Sequence, residues 1–552
     1  MNGNHHTGKL DPRLRSLDPE SAQSDVLLRR IVRPNEGCEF GRKHSFSRIR
    51  SESDFRQIVP LCRYEDLRND IERMVAGESG VLVSEPVRRF FITSGSTAVP
   101  KYIPVTSGFV RDKWLAFQTY WGAVRKDHPE MGRGCLIANF SDGSHERTTP
   151  GGTLCCSESS FWGAFAGGDC SPQHPLTREV LNVSDPEARY YTIARILLET
   201  NVSALMSLNP STILRLFEVI ERYADLLLED VRAGGLSGGM NVEAQVRELV
   251  AARYRGNAAR AEELRKEFSA AQSGISATHL WPNLELAMCW RSPMVRPYLE
   301  LLERFLGTLP QRDYITMASE GIIAIPFEDN ISGGALAVNI HFYEFILEEL
   351  ADRDDPPTLL AHQIEHGRKY VVVLSTSAGL YRYNIGDVVQ VRDFIGTIPV
   401  VEFLNRTGHT CSLTGEKLTE DQVAHAVCEA ASRLGLRLQA FTMCPLSKPF
   451  PHYALLAEMD TSFDRTSLSR FLVEVDRDLG CRNLEYQSKR TSRRLGAPEF
   501  WVLQPGSYAA LRQRRIEAGV SDVQVKLACL TRDPNWHQQF DIVEQIRCEL
   551  SA

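Results

Sequence analysis

The chain has 552 residues, of which 43% are hydrophobic and 24% are charged, and this length favours two or three globular domains over a single core. Its net charge of -7 argues against a nucleic-acid coat protein and against a protein that binds anionic membranes. The N-terminus lacks the apolar core of a signal peptide, and no run approaches the roughly 18 apolar residues of a membrane span, so we expect a soluble, cytoplasmic protein.

Residues 1–25 are polar and predict a disordered N-terminal lead. From there to about residue 406, helical patterns alternate with strand patterns, which is typical of a large α/β domain. Within this part, residues 369–375 have a clear buried-strand pattern. Beyond residue 406, a predicted helix over 420–434 leads to strands over 437–443 and 452–459, and a helix over 466–479 and a strand over 499–503 complete a compact α+β unit. We therefore place one domain at 26–406 and a second at 407–552.

The most distinctive stretch follows a strand-like run that ends at Ile92. It contains the turn residues Ser94, Gly95, Ser96 and Thr97, followed by Lys101. Small residues let backbone N–H groups approach an anion, hydroxyls add donors, and the lysine adds a positive charge. The stretch differs from the common G-x-x-x-x-G-K-[ST] loop of nucleoside triphosphatases. On these residues alone, a phosphate-binding loop and an ordinary turn both remain open.

The segment after this loop, 108–124, carries aromatic residues at helical spacing. Such a stripe usually packs in a core, but a helix that leaves a phosphate loop also tends to line the adjoining pocket. We predict that Trp114, Phe117 and Gln118 bind substrate, with the core alternative left open. Arg147 lies in a turn signal and is either a free surface charge or a neighbour of the same pocket.

Three later segments contain charged residues at or beside predicted turns. The first, 316–321, is a run of small residues that ends in Glu320 after a strand-like stretch. The second, 381–387, places Asp387 immediately beyond a predicted strand end. The third lies between the domains and carries Arg406 and then Lys417.

Together with the loop at 94–101, these segments resemble the signature of the adenylate-forming enzymes. More specifically, the chain resembles a bacterial member of the auxin-responsive acyl-acid amido synthetase family, whose plant members conjugate auxin, jasmonate and benzoates to amino acids. Other matching segments fall in that family's order: His44-Ser45-Phe46, Thr149-Pro150-Gly151-Gly152, Asn209-Pro210-Ser211-Thr212, Trp281-Pro282-Asn283-Leu284 and Gln524-Val525-Lys526. The resemblance covers about residues 26–535 and implies an α/β class fold. It further implies a large N-terminal adenylate-forming domain that binds ATP and the acyl group, and a smaller, mobile α+β C-terminal domain.

The resemblance also implies the chemistry and its residues. A carboxylate would attack the α-phosphate of ATP, release pyrophosphate, and then pass its acyl group to an amine, with an amino acid as the expected acceptor. The implied nucleotide-binding residues are Ser94, Gly95, Ser96, Thr97, Lys101, Thr316, Met317, Ala318, Ser319, Tyr381, Asp387 and Arg406. Glu320 would bind Mg²⁺, and Lys417 and Lys526 would be catalytic. The implied partners are small molecules, with neither nucleic acid nor membrane involved.

Two positions depart from the family pattern. Ala98 stands where glycine is usual and disfavours positive φ, and Thr316 stands where a tyrosine could stack on adenine. Weaker ATP binding is therefore one expected consequence. Two alternatives stay open: transfer of the acyl group to a thiol (coenzyme A or a carrier protein) or a hydroxyl, and a degenerate, non-catalytic binding protein. Retention of Lys101, Glu320, Asp387 and Lys417 argues against the second.

Overall fold

A computed structural model describes residues 17–93, 101–138, 147–158, 161–162, 174–270, 275–407, 410–414, 416, 418–448, 450–459, 464–491, 494–517 and 527–547. The predicted site residues Ser94, Gly95, Ser96, Thr97, Lys417 and Lys526 lie outside these ranges, as does Ala98. Within the part of the chain described, no helix is both long enough and apolar enough to cross a membrane.

Helices and strands alternate along the chain, which confirms the predicted mixture. The α-helices are α1 Pro19–Asp25, α2 Glu39–Lys43, α3 Glu52–Ile58, α4 Tyr64–Val75, α5 Ser107–Asp127, α6 Arg178–Leu181, α7 Pro186–Leu197, α8 Pro210–Arg222, α9 Ala224–Ala233, α10 Ala244–Arg253, α11 Ala258–Ala270, α12 Ala277–Leu280, α13 Arg296–Leu306, α14 Glu420–Leu434, α15 Arg465–Arg482, α16 Leu484–Thr491 and α17 Ser507–Glu517. The strands are β1 Arg89–Thr93, β2 Lys101–Val105, β3 Cys135–Ile137, β4 Arg147–Thr148, β5 Leu154–Cys156, β6 Val202–Met206, β7 Leu286–Met288, β8 Gln311–Arg312, β9 Thr316–Ala318, β10 Gly321–Ile325, β11 Gly334–Leu336, β12 Phe342–Leu347, β13 Leu359–Leu360, β14 Lys369–Ser375, β15 Tyr383–Ile395, β16 Ile398–Arg406, β17 Thr410–Cys411, β18 Leu418–Thr419, β19 Leu438–Leu446, β20 His452–Met459, β21 Glu499–Leu503 and β22 Ile542–Arg547.

The chain divides into two compact units. One consists of 1–291 and 304–403, and the other consists of 292–303 and 404–552. The segment 292–303 comes from the middle of the chain, and its helical pattern gives no sign in the sequence that it belongs with the C-terminal part. Within the second unit it is held in part by Arg296, whose guanidinium lies 3.1 Å from the Glu429 carboxylate.

The first unit contains three sheets. Strands β3, β6, β7 and β8 form a parallel sheet, as expected for strands that are joined through helices. An eight-stranded sheet has the order β13-β12-β14-β15-β16-β11-β10-β9, and a smaller one has the order β2-β1-β5-β4. In the large sheet, β14 lies between β12 and β15, carries three consecutive valines and is buried from Tyr370 to Ser375.

The second unit is built on the four-stranded sheet β19-β20-β21-β22. The helix α14 precedes this sheet in the chain and begins where the Thr419 hydroxyl accepts a hydrogen bond from the Gln422 N–H. It ends at Gly435, whose φ of +65° is the left-handed conformation that closes many helices. The sequence predicted the bounds of α14, β20 and β21, and the structure has them at the same residues.

Residues 19–25, which the sequence placed in a disordered lead, form the helix α1. Asp18 caps it by accepting a hydrogen bond of 2.9 Å from the Ser21 N–H. Gln23 is buried, and its amide donates to the His341 carbonyl at 2.7 Å. The polar composition concealed this helix because an amide, rather than an apolar side chain, makes one of its main buried contacts.

Candidate functional site

The loop predicted to bind phosphate joins β1 to β2. These strands pair in antiparallel fashion with Thr93 opposite Lys101, so the two residues stand at the base of the loop 94–100. The Lys101 ammonium lies 5.2 Å from the centre of the Tyr64 ring. The Tyr64 hydroxyl in turn accepts a hydrogen bond of 2.9 Å from the Tyr102 N–H. The pairing of β1 with β2 and the contact with Tyr64 therefore position Lys101 at the base of the loop.

The helix α5 begins two residues after β2 and carries the predicted substrate-binding side chains. Phe117 is buried and lies 4.7 Å from the Trp162 ring, measured between ring centres. Trp114 is nearly parallel to Trp162 at 6.5 Å and is 39% exposed. Gln118 is exposed. Two of the three predicted side chains thus belong to one aromatic cluster, which we define as Trp114, Phe117 and Trp162.

Arg147 lies on a strand of the sheet that contains β1 and β2. It is on β4, which is separated from β1 by β5, and it is exposed. The structure thus places it at the edge of the sheet that holds the loop hairpin. Both predicted roles, a surface charge and a neighbour of the acyl pocket, stay open for it.

A buried lysine on α5 escaped the sequence analysis. The Lys113 side chain has no exposed surface, and its ammonium donates to the Ala318 carbonyl at 2.8 Å and forms an ion pair with the Glu158 carboxylate. Burial lowers the pKa of Lys113, and the Glu158 charge opposes that shift. The sequence did contain a signal, because Lys113 stands four residues after Phe109 and four before Phe117, on the apolar face of the helix.

The segment 316–320 forms a tight turn against this lysine. The strand β9 covers Thr316–Ala318 and pairs with β10 so that Ala318 faces Gly321, which leaves Ser319 and Glu320 at the tip. Glu320 is only 5% exposed. A Cβ on Gly321 would lie 3.0 Å from the His341 ring, so a larger residue here would need that ring to shift. Thr316, Met317, Ala318 and Ser319 are all half-buried.

Asp387 lies inside a strand, whereas the sequence predicted it beyond a strand end. Val388 pairs with Val371 and Asn384 pairs with Val373, so the three residues 385–387 face Val372 alone. This irregularity is a bulge, which Gly386 permits through its φ of +78°. The glycine that suggested a break in the sequence therefore makes a bulge in β15, and Asp387 is buried within it.

Tyr381 is one of the residues predicted to bind nucleotide. The side chain is completely buried, and its hydroxyl donates to the Leu82 carbonyl at 2.6 Å. Its ring stacks on Phe40 with 4.7 Å between the ring centres. Tyr381 therefore packs in the core and leaves no side-chain surface for a ligand. A single aromatic residue next to a motif cannot be told from a core residue by sequence alone.

Arg382 holds the start of the Asp387 strand in an unusual conformation. It has a φ of +45°, which costs a residue other than glycine on the order of 1 kcal/mol or more. Its guanidinium binds both oxygens of the Glu344 carboxylate, at 2.8 and 2.9 Å. It also donates to the carbonyls of Arg56 and Val59, each at 2.8 Å. These contacts fix the chain four residues before Gly386.

Lys113 contacts two segments of the first unit that the sequence analysis singled out, the strand before the loop and the turn that carries Glu320. Its ammonium lies 5.7 Å from the Phe91 ring of β1, while its hydrogen bonds reach the turn that carries Glu320. Asp387 is on β15 of the same large sheet as β9, separated from it by β16, β11 and β10. Arg406 is exposed and is the last residue of β16, in the second unit.

A single carboxylate at the tip of the turn is compatible with a magnesium ion that is shared with a phosphate ligand. Mg²⁺ is usually bound by one or two carboxylates together with substrate phosphates, rather than by a cage made only of protein groups. Glu320 offers one such carboxylate. Across the described ranges of the chain, no group of three or more His, Cys, Asp and Glu side chains could hold a metal ion unaided.

Comparisons with known proteins give consistent results along the whole chain. The GH3 family N-terminal domain matches residues 15–311, the central domain matches 334–406, and the C-terminal domain matches 421–535. An indole-3-acetic acid-amido synthetase of Arabidopsis thaliana is 25% identical over 94% of this chain and 90% of its own length. A jasmonoyl–L-amino acid synthetase of Oryza sativa subsp. japonica is 24% identical over 92% of each chain.

A solved structure shows the same fold. The acyl acid amido synthetase GH3.15 superposes with a TM-score of 0.83, covers 98% of both chains and is 20% identical. This similarity confirms the predicted fold class, an adenylate-forming fold with a separate C-terminal domain.

Proposed function

This chain belongs to the GH3 family, and on that premise we propose that it is an ATP-dependent ligase that adenylates a carboxylic acid and transfers the acyl group to an amino acid. The observation that carries the proposal is the match to all three family domains in consecutive order. Two relatives that match more than nine-tenths of the chain are named indole-3-acetic acid-amido synthetase and jasmonoyl–L-amino acid synthetase, so the reaction class is that of an acid–amino acid ligase.

The first step needs two anions, the acid and the triphosphate, to come together. Such a site requires hydrogen-bond donors and positive charge that are already in place. We propose that the loop residues Ser94, Gly95, Ser96 and Thr97 hold the phosphates together with Lys101. The position of Lys101 opposite Thr93, at the base of that loop, supports this role.

The other nucleotide contacts are proposed for the turn 316–320 and for β15. Asp387 would accept hydrogen bonds from the ribose hydroxyls, and its bulge supports this because bulges re-aim side chains at functional sites. Glu320 would bind Mg²⁺, which neutralises phosphate charge when it is bound. The aromatic cluster, in which Trp114 and Phe117 of α5 pack against Trp162, would receive a flat or apolar acyl group.

The second step is aminolysis, in which the amine of the acceptor attacks the acyl carbonyl and AMP leaves. We propose that Lys417 and Lys526 stabilise charge during the two steps and that Arg406 contacts the ribose. The C-terminal unit would be the part that moves between the steps, as lids and hinged domains do in other enzymes. This proposal rests on family membership and on the separate second unit.

Replacing Asp387 by alanine is expected to reduce acid-dependent exchange of pyrophosphate into ATP by about tenfold or more. A hydrogen bond to a charged group contributes roughly 1.5–3 kcal/mol, which corresponds to at least that factor. The matched control is Asp393→Ala, which removes the same side chain from the same strand beyond the bulge. Equal exchange rates in the two folded variants would remove Asp387 from the site.

The Glu320→Gln variant is expected to need more Mg²⁺. The amide keeps the size of the side chain but loses the charge, so the Mg²⁺ concentration that gives half-maximal exchange should rise about tenfold or more. The control is Glu328→Gln, which changes a carboxylate in the same unit that lies beyond β10. A Mg²⁺ titration that matches the unmodified protein would count against the ligand role.

The acceptor is tested by product analysis. The protein is incubated with ATP, Mg²⁺ and a panel of aryl, indole and fatty acids, and it is offered amino acids, coenzyme A or glycerol. We expect mass spectrometry to find an amide with at least one amino acid. Thioester formation without any amide would favour the thiol alternative, and an ester would favour the hydroxyl. Failure of every acid to support exchange or product would favour the non-catalytic alternative.

A further inference from the structure

The ion pair between Lys113 and Glu158 lies between two parts of the proposed site. On one side, the Trp162 indole N–H donates to the Glu158 carboxylate at 3.1 Å, which ties the pair to the aromatic cluster. On the other side, the Lys113 ammonium donates to the carbonyls of Ala318 and Ser319, at 2.8 and 3.5 Å. These two carbonyls belong to the turn that presents Glu320.

Stability alone is a weak reason for such a pair. The Lys113 side chain has no exposed surface and Glu158 has 10%, so both charges are largely removed from water. Apolar residues of similar volume in place of a buried ion pair are often neutral or stabilising, because desolvation offsets the attraction between the charges. Buried polar contacts do, however, select one arrangement of the groups around them. A positioning role is therefore the better account of this pair.

Two other titratable side chains near Lys113 are Glu320 and His341, and neither is proposed to link the lysine to the aromatic cluster. The Glu320 carboxylate is near enough to act on the lysine electrostatically, and it is the group whose position matters. Burial together with the Lys113 and Arg30 charges keeps the pKa of His341 well below its usual range, so this ring is neutral. Glu158 also contacts the aromatic cluster, because its carboxylate accepts the Trp162 N–H.

We propose that Lys113 and Glu158 are positioning residues that couple the acyl pocket to the Glu320 turn, so that the acid and Mg²⁺–ATP bind with positive cooperativity. This inference rests on the proposed function. An acid packed against Trp162 would restrict Glu158, and through Lys113 it would restrict the turn. The cost of ordering these groups would then be met once for both ligands, which is a recognised source of cooperativity without a large structural change.

The test measures binding without turnover. Calorimetry gives the Kd of α,β-methylene ATP with Mg²⁺, a nucleotide that cannot lose pyrophosphate, in the absence and presence of a saturating acid. The acid used is the one in the panel that supports the fastest exchange. For the unmodified protein we expect the acid to lower this Kd about fivefold or more, and the nucleotide to lower the Kd of the acid by the same factor.

Four variants separate positioning from folding. Lys113→Met and Glu158→Gln break the pair, and Trp162→Phe removes the N–H that links the pair to the cluster while keeping an aromatic, though smaller, ring there. Arg195→Met is the matched control, because Arg195 is a buried cation paired with Glu199 elsewhere in the same unit. We expect the coupling factor to fall below about twofold in the first three variants and to stay at its original value in the control.

Each outcome decides between the possibilities. Retained coupling in folded Lys113→Met or Glu158→Gln would overturn the inference while leaving the proposed function intact, and so would an unmodified protein that shows exchange but no coupling. If both pair variants fail to fold, Trp162→Phe decides, since it leaves the ion pair in place. An unmodified protein that shows no exchange with any acid would end the proposed function and this inference together.

Discussion

Replacing Lys101 by alanine is expected to lower acid-dependent pyrophosphate exchange by at least about tenfold and to leave the protein folded. Charge-assisted hydrogen bonds to phosphate are roughly twice as strong as neutral ones, and Lys101 is the cation at the base of the loop. Its contact with the Tyr64 ring contributes only about 0.5–1 kcal/mol at a site of this exposure, so folding should survive its loss.

A lysine in a similar setting provides the control. Lys369 is also half-buried and also begins a strand of the first unit, but it lies on β14, away from the loop. Lys369→Ala is therefore expected to keep its exchange rate. Should Lys101→Ala exchange as fast as Lys369→Ala, the loop between β1 and β2 would not be the phosphate site.

The Arg382→Met variant is expected to lower the free energy of unfolding by as much as about 3–5 kcal/mol, because the buried Glu344 carboxylate loses the guanidinium that binds both of its oxygens. Of the partners that the structure describes, this carboxylate keeps the Thr358 hydroxyl, at 2.6 Å, and the Arg56 guanidinium, at 3.5 Å. In the folded protein Glu344 is only 1% exposed and Arg382 is 9% exposed. The measurement is the denaturant midpoint of the first unit, followed by tryptophan fluorescence, together with the slope of the transition.

The control for this variant is a second arginine–glutamate pair in the same unit. Arg368 lies 2.7 Å from Glu349, but both side chains are about half exposed, at 45% and 58%. Pairs of this kind contribute roughly 0–1 kcal/mol, so Arg368→Met should shift the midpoint little. Similar small shifts in both variants would contradict the view that Arg382 anchors the start of β15.

Helix and strand bounds were predicted best where a local pattern, such as a β-branched run or a helix cap, determines the structure. The β-branched run 369–375 was predicted as a buried strand, and the helix 420–434 has an N-cap threonine and a closing glycine, so both bounds agree with the structure. The fold class was also predicted, because the order of the matching motifs carries it. Family membership then followed from the comparisons over residues 15–535.

The remaining differences arise where tertiary contacts decide. Gly386 indicated a break, yet neighbouring strands hold β15 together on both sides of the bulge. Tyr381 belongs to a motif of the sequence, but its hydroxyl donates a hydrogen bond to the carbonyl of Leu82, which is distant in the chain. Lys113 escaped the sequence analysis, because its partners Glu158 and Ala318 come from distant segments. No local pattern contains such pairings.

The central claim is that this polypeptide makes a mixed anhydride between a carboxylic acid and AMP. The most direct measurement is the exchange of labelled pyrophosphate into ATP over the acid panel, with the unmodified protein and Lys101→Ala compared side by side. We predict exchange that requires Mg²⁺ and at least one particular acid, and that falls at least about tenfold in the variant. Label incorporation that is absent with every acid, or that proceeds equally without any acid, would contradict the account.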